Sequence, residues 1–77
     1  MTDGQCVDLY IAFLKEIGRQ GYSQDLMEIA SNMLLVVPLE SMEYAMNKFT
    51  EIAKLGLPER NYHYEISQVF KKLMGYE

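Results

Sequence analysis

The chain has 77 residues, a net charge of −4, 49% hydrophobic residues and a single cysteine. A chain of this length and hydrophobic content forms one folded domain rather than a disordered segment. The composition excludes an internal disulfide and metal sites built on cysteine pairs, argues against a general affinity for phosphate backbones, and leaves no apolar run long enough to span a membrane.

The first helix is predicted to begin at Thr2 or Asp3, since either side chain can cap the opening turn. Gly18 weakens this helix and Gly21 ends it. Its apolar face has the spacing of an α-helix and consists of Val7, Tyr10, Ile11, Leu14 and Ile17. Ser23 is predicted to cap the second helix, whose buried stripe is Leu26, Ile29, Ala30, Met33 and Leu34.

The second helix ends in the run Met33–Val37, which is apolar on every side. Such a run must lie inside the fold or inside an interface. Pro38 cannot continue the helix and favours an extended Val37, so the break between two helical hairpins is predicted here.

The third helix is predicted to run from Pro38 or Leu39 to Leu55 and to end at Gly56. Its apolar face consists of Leu39, Met42, Ala45, Met46, Phe49, Ile52 and Ala53. Pro58 opens the fourth helix and Gly75 closes it. The buried face of this helix is predicted to be Tyr62, Ile66, Val69, Phe70 and Leu73.

These elements predict an all-α fold, because no segment alternates with period two for long enough to form a strand. We expect one domain over residues 1–77, containing four short antiparallel helices in a compact bundle. The helices form two consecutive hairpins, at about residues 3–35 and 38–75.

A near-repeat supports this topology. The segment from Glu16 to Asp25 aligns without a gap on the segment 35 residues later, with identities at Glu16/Glu51, Ile17/Ile52 and Gly21/Gly56. Both copies have the pattern of a helix end, a glycine stop and the start of a new helix. The repeat therefore predicts two equivalent turns, at residues 21–23 and 56–58.

The second half resembles the helical-hairpin repeats, and the pentatricopeptide kind more than the tetratricopeptide kind. The motif residues appear in order as Ala45, Phe49, Gly56, Pro58 and Tyr64. The first half carries Ala12-Phe13 and Gly21, with Ser23 in place of the proline, so the resemblance covers roughly residues 13–70. It implies stacked hairpins and single-stranded RNA as the ligand, although pentatricopeptide arrays are long and basic.

No catalytic or metal-binding constellation is predicted. The single histidine, His63, has Glu59, Glu65 and Ser67 nearby in sequence, which is a weak basis for a nucleophile and base. The paired acids Glu40 and Glu43 suit the start of a helix for structural reasons. We therefore expect no enzyme activity, no metal and no cofactor.

The distribution of charge favours an interaction protein. Between Gln20 and Asn47 there are four acidic residues and no Lys or Arg, and three methionines flank the apolar break. The leading hypothesis is a small acidic, non-enzymatic protein-interaction or regulatory module in the cytoplasm, with a basic protein as partner, no membrane contact and a homodimer as an alternative. The predicted contact residues are Asp25, Glu28, Met33, Leu35, Glu40, Met42, Glu43, Tyr44 and Met46.

Two other functions are kept as alternatives. The first is RNA binding by a hairpin repeat, with Tyr62 and Tyr64 as stacking platforms. The cations for that function would be Lys48, Lys54, Arg60, Lys71 and Lys72. The second is a small acidic inhibitor, of the phage type, that occupies the nucleic-acid site of an enzyme by charge mimicry.

Overall fold

A computed structural model describes residues 3–75, which form four α-helices and one short 3₁₀ turn. The elements are α1 (Asp3–Arg19), α2 (Gln24–Val36), a 3₁₀ turn (Leu39–Ser41), α3 (Met42–Lys54) and α4 (Glu59–Met74). The described residues contain no strand. The predicted all-α bundle is confirmed, whereas Thr2, one of the two predicted caps, lies outside the described residues.

Local chemistry explains the helix ends. The Ser23 hydroxyl accepts a hydrogen bond from the Leu26 N–H at 3.2 Å, which caps α2. Gly21 and Gly56 follow α1 and α3 with φ of +73° and +67°, and the N–H of each donates to the carbonyl three residues earlier. The two predicted turns therefore have the same backbone conformation, which glycine adopts without a Cβ clash.

The start of the third helix differs from the prediction. Pro38 is extended, with φ −54° and ψ 143°, so it lies outside the helix. The Ser41 N–H then donates to the Pro38 carbonyl at 2.9 Å, which closes a 3₁₀ turn before α3 begins at Met42. Such turns are common at the N-termini of α-helices, because the tighter i→i+3 bond satisfies a terminal group.

Equivalent helices of the two hairpins pack against each other. The most extensive contact joins α1 to α3, and α2 packs against α4 and, less extensively, α3. Helices α3 and α4 also pack together, whereas α1 and α2 contact each other only slightly. The two hairpins therefore stabilise one another, since the first one buries little surface between its own helices.

The core lies between α1 and α3 and extends to α2 and α4. Its buried hydrophobic residues are Phe13, Ile17, Leu26, Ala30, Leu34, Val37, Ala45, Met46, Phe49, Ala53, Tyr62 and Ile66. The rings of Phe13 and Phe49 pack in a tilted arrangement, with centroids 6.1 Å apart, and join α1 to α3. None of the described helices combines the length and apolar character that crossing a membrane requires.

The predicted apolar face of α1 is partly wrong. Ile17 is buried as expected, but Val7 and Ile11 are exposed, and Phe13, which is not part of the predicted face, is fully buried as well. Because α1 packs mainly on α3, its contact stripe follows Leu9, Phe13 and Ile17.

Candidate interaction surface

An apolar groove of about 260 Å³ opens where α1, α2 and α3 meet. It is lined by Cys6, Val7, Tyr10, Leu34, Leu35, Met42 and Met46. The Cys6 thiol lies 3.6 Å from the Met42 sulfur, which joins the two helices across the groove. Met46 is only 1% exposed and belongs to the floor.

Four large apolar side chains at or next to this groove point into solvent. They are Val7 (55% exposed), Leu35 (70%), Val36 (58%) and Leu39 (76%), and we call them the apolar patch. Val7 and Leu35 line the groove itself, while Val36 and Leu39 flank the Val37–Pro38 link between α2 and the 3₁₀ turn. The fold thus buries Leu34 and Val37 from the predicted apolar run and leaves Leu35 and Val36, which lie between them, in solvent.

Acidic residues adjoin the residues of the apolar patch and the apolar groove in the sequence. Asp8, Glu40 and Glu43 are exposed. In the sequence they directly follow Val7, Leu39 and Met42. The segments that carry the patch and the groove, residues 4–14 and 30–47, contain no Lys or Arg. The charged residues closest to the apolar patch along the chain are therefore acidic.

The structure divides the predicted contact residues among different places. Leu35, Met42 and Met46 lie together in the apolar groove, and Met46, which is buried, lies at its floor. Glu28, Glu40 and Glu43 are exposed, and Met33 is half-buried against the core. Asp25 lies in a separate depression beside Arg60, and Tyr44 lies in a groove on another side of α3.

That other groove, which we call the α3–α4 groove, has a volume of about 750 Å³. Its apolar lining residues are Ile52, Leu55, Val69 and Leu73, and its charged ones are Lys48, Glu51, Glu65, Lys71 and Lys72. The Lys48 ammonium lies 3.7 Å from the Glu51 carboxylate and 5.9 Å from the centre of the Tyr44 ring. Lys71 and Lys72 form no ion pair within the described residues.

Tyr62 does not serve as an exposed stacking platform. Its side chain is fully buried, and its hydroxyl donates to the Phe49 carbonyl at 3.0 Å. Burial, with a smaller contribution from neighbouring Tyr22, raises the pKa of Tyr62 well above its ordinary value. Tyr64 is 62% exposed, so it alone of the two predicted platforms presents its ring to solvent.

His63 is exposed at the edge of a depression of about 310 Å³, which it lines with Glu59 and Arg60. One oxygen of the Glu59 carboxylate accepts a hydrogen bond from the Ser23 N–H at 2.6 Å, so this acid contacts the other turn rather than the imidazole. No group of three His, Cys, Asp or Glu side chains within residues 3–75 has an arrangement that could hold a metal ion.

Three residues of the apolar patch were missing from the predicted contact set. Val7 and Leu39 were assigned to buried helix faces, and Val36 was treated as part of the apolar run. The sequence held a signal for Val36, because a run that is apolar on all sides cannot turn every side chain toward one core.

No family model matches the chain, and no curated protein or solved structure is significantly similar to it. The resemblance to helical-hairpin repeats stays a prediction from the sequence.

Proposed function

We propose that this protein is a non-enzymatic protein-binding module that docks its partner through the apolar patch. The observation that carries the proposal is the exposure of Leu35, Val36 and Leu39 beside an apolar groove. Fully burying one such side chain contributes roughly 1.5–3 kcal/mol. Exposed apolar side chains near a groove are the arrangement expected of an interaction site.

The acidic residues that adjoin the apolar patch in the sequence indicate the chemistry of the partner. Asp8, Glu40 and Glu43 are exposed, and they would attract a positive surface and repel a negative one. The partner we propose is therefore an apolar surface flanked by lysine or arginine, of which a basic amphipathic helix is the simplest example.

RNA binding by a hairpin repeat is the second candidate. The packing of α1 on α3 and of α2 on α4 supports it, since neighbouring repeats in helical arrays bury surface in this way. Tyr64, Lys71 and Lys72 are exposed and would carry the contact, without Tyr62. No retention on single-stranded RNA at low salt would exclude it.

The proposal is tested with a synthetic amphipathic helix of leucine and lysine, using fluorescence anisotropy. We expect it to bind more tightly than a peptide of the same composition in which the leucines do not share one face. The double variant Leu35→Asp/Leu39→Asp should weaken binding by about tenfold or more, because both anchors are lost. The matched control is Leu55→Asp, since Leu55 is 69% exposed and lies in the turn between α3 and α4.

Equal binding of the two peptides, or an equal loss with Leu55→Asp, would contradict the proposal. The double variant Glu40→Lys/Glu43→Lys tests the charge separately. It should weaken binding most at low salt, because salt screens the attraction between exposed charges. If that variant bound the basic peptide as well as the native protein at low salt, the proposed partner chemistry would be wrong.

A further inference from the structure

We infer that the apolar patch of one copy docks into the α3–α4 groove of a second copy, so that the chain associates head to tail. The inference rests on the proposed function, because it names a second copy of this chain as the partner of the apolar patch. Its basis is that the chain carries both of the surfaces that the docking requires.

The α3–α4 groove has the chemistry that the apolar patch requires. Ile52, Val69 and Leu73 give it an apolar lining. Lys48 and Glu51 offset each other at 3.7 Å, and the remaining charges are Lys71 and Lys72 against Glu65. The groove is therefore apolar with a net positive rim, whereas the patch is apolar and its closest charged neighbours in the sequence are acidic.

The patch supplies projecting side chains and the groove supplies a concave surface. Leu35 and Leu39 protrude, being 70% and 76% exposed, and the α3–α4 groove is concave, with a volume of about 750 Å³. Docking Leu39 into the groove carries Glu40, its neighbour in the chain, toward Lys71 and Lys72. A patch-to-patch pair would instead bring Glu40 and Glu43 of both copies together, which like-charge repulsion disfavours.

One copy can use both surfaces at once. Met42 and Met46 line the apolar groove, while Tyr44 and Lys48 line the α3–α4 groove. Two residues correspond to about 200° around an α-helix, so these pairs point to opposite sides of α3. Such a head-to-tail interface is heterologous, and it continues into rings or filaments rather than stopping at a dimer.

The test is sedimentation velocity over a range of protein concentrations at low and high salt. The native chain should show a mass that rises with concentration and falls with salt. The patch variant Leu35→Asp/Leu39→Asp and the groove variant Lys71→Glu/Lys72→Glu should each be monomeric. Leu55→Asp is not a control for this measurement, because Leu55 lines the α3–α4 groove. Glu28→Lys takes its place, since Glu28 is exposed on α2 and lines neither groove.

The decisive sample is an equimolar mixture of the patch variant and the groove variant. The patch variant keeps an intact groove and the groove variant keeps an intact patch, so the mixture should form a species that stops at the dimer. A native chain that stays monomeric at every concentration would overturn the inference. Self-association of the groove variant alone, or a mixture that stays monomeric, would also overturn it.

These results separate the inference from the proposed function. Binding of the leucine–lysine helix at the patch of a chain that stays monomeric supports the proposed function and excludes a second copy as partner. Circular dichroism establishes that every variant is helical, and all the substituted side chains are exposed, so their loss leaves the core intact.

Discussion

The phenolic hydroxyl of Tyr22 donates a hydrogen bond to the backbone carbonyl of Leu57 at 2.8 Å, across a separation of 35 residues in the chain. That separation is the period of the near-repeat, so the two residues occupy equivalent positions in the two turns. The Tyr22 ring also stacks on Tyr62, with centroids 4.7 Å apart. The Ser23 N–H donates to Glu59 beside them. The two turns therefore lie against each other and tie the hairpins together at one end.

Tyr22→Phe should lower the free energy of unfolding by about 0.5–1.5 kcal/mol, because it removes the hydrogen bond to Leu57 and keeps the ring. Chemical denaturation measures the change. Tyr64→Phe is the control, since Tyr64 is exposed and its hydroxyl has no partner within the described residues. Equal stability of the two variants would mean that the bond between the turns contributes nothing.

Tyr62→Phe should lower the free energy of unfolding by about 1 kcal/mol below pH 9, because the hydrogen bond to the Phe49 carbonyl is lost. The difference in the free energy of unfolding between the native protein and this variant should shrink above pH 10. Burial raises the pKa of Tyr62 in the folded chain, whereas the unfolded chain titrates near the ordinary value of 10.0. The unfolded state then binds fewer protons, so native stability falls as the pH rises, by at most about 1.4 kcal/mol per pH unit for this group.

The measurement is the free energy of unfolding of the native protein and the Tyr62→Phe variant between pH 8 and pH 11. A difference for Tyr62→Phe that does not change with pH would show that the Tyr62 hydroxyl is not held protonated by burial.

The same substitution should have opposite effects at two glycines only three residues apart. Gly18 lies inside α1, so Gly18→Ala should raise the free energy of unfolding by roughly 0.5–1 kcal/mol. Gly21 has φ +73°, so Gly21→Ala should destabilise by roughly 1–2 kcal/mol. An added Cβ meets open space at both positions, so the backbone alone decides the sign. Thermal unfolding of the two variants checks the prediction, and a shift of the same sign in both would contradict it.

Two serines at helix starts provide another matched pair. Ser23→Ala should lower the free energy of unfolding by about 1 kcal/mol, because the Ser23 hydroxyl accepts a capping hydrogen bond from the Leu26 N–H. Ser41 precedes α3 and its side chain makes no capping bond, so Ser41→Ala should change stability by less than about 0.5 kcal/mol. The midpoints of denaturant-induced unfolding measure both changes in stability. An equal loss of stability in the two variants would indicate that the Ser23 cap does not stabilise α2.

Much of the bundle could be predicted from the sequence because helix ends depend on local chemistry. Ser23, Gly21, Gly56 and Gly75 each act on the backbone within a few residues, and all four occur at the predicted helix ends. The apolar spacing of α3 likewise places Phe49 and Ala53 in the core, as expected. The all-α class and the two equivalent turns follow from these signals alone.

The tertiary structure decided which side of each helix is covered, and so which residues form the candidate site. Periodicity gives the width of an apolar face, but the neighbouring helix determines which part of it is buried. Because α1 packs on α3, Phe13 is buried and Val7 is exposed, whereas the spacing had assigned Val7 to the buried face. The same long-range packing left Leu39 in solvent and placed two predicted contact residues, Asp25 and Tyr44, in different depressions of the surface.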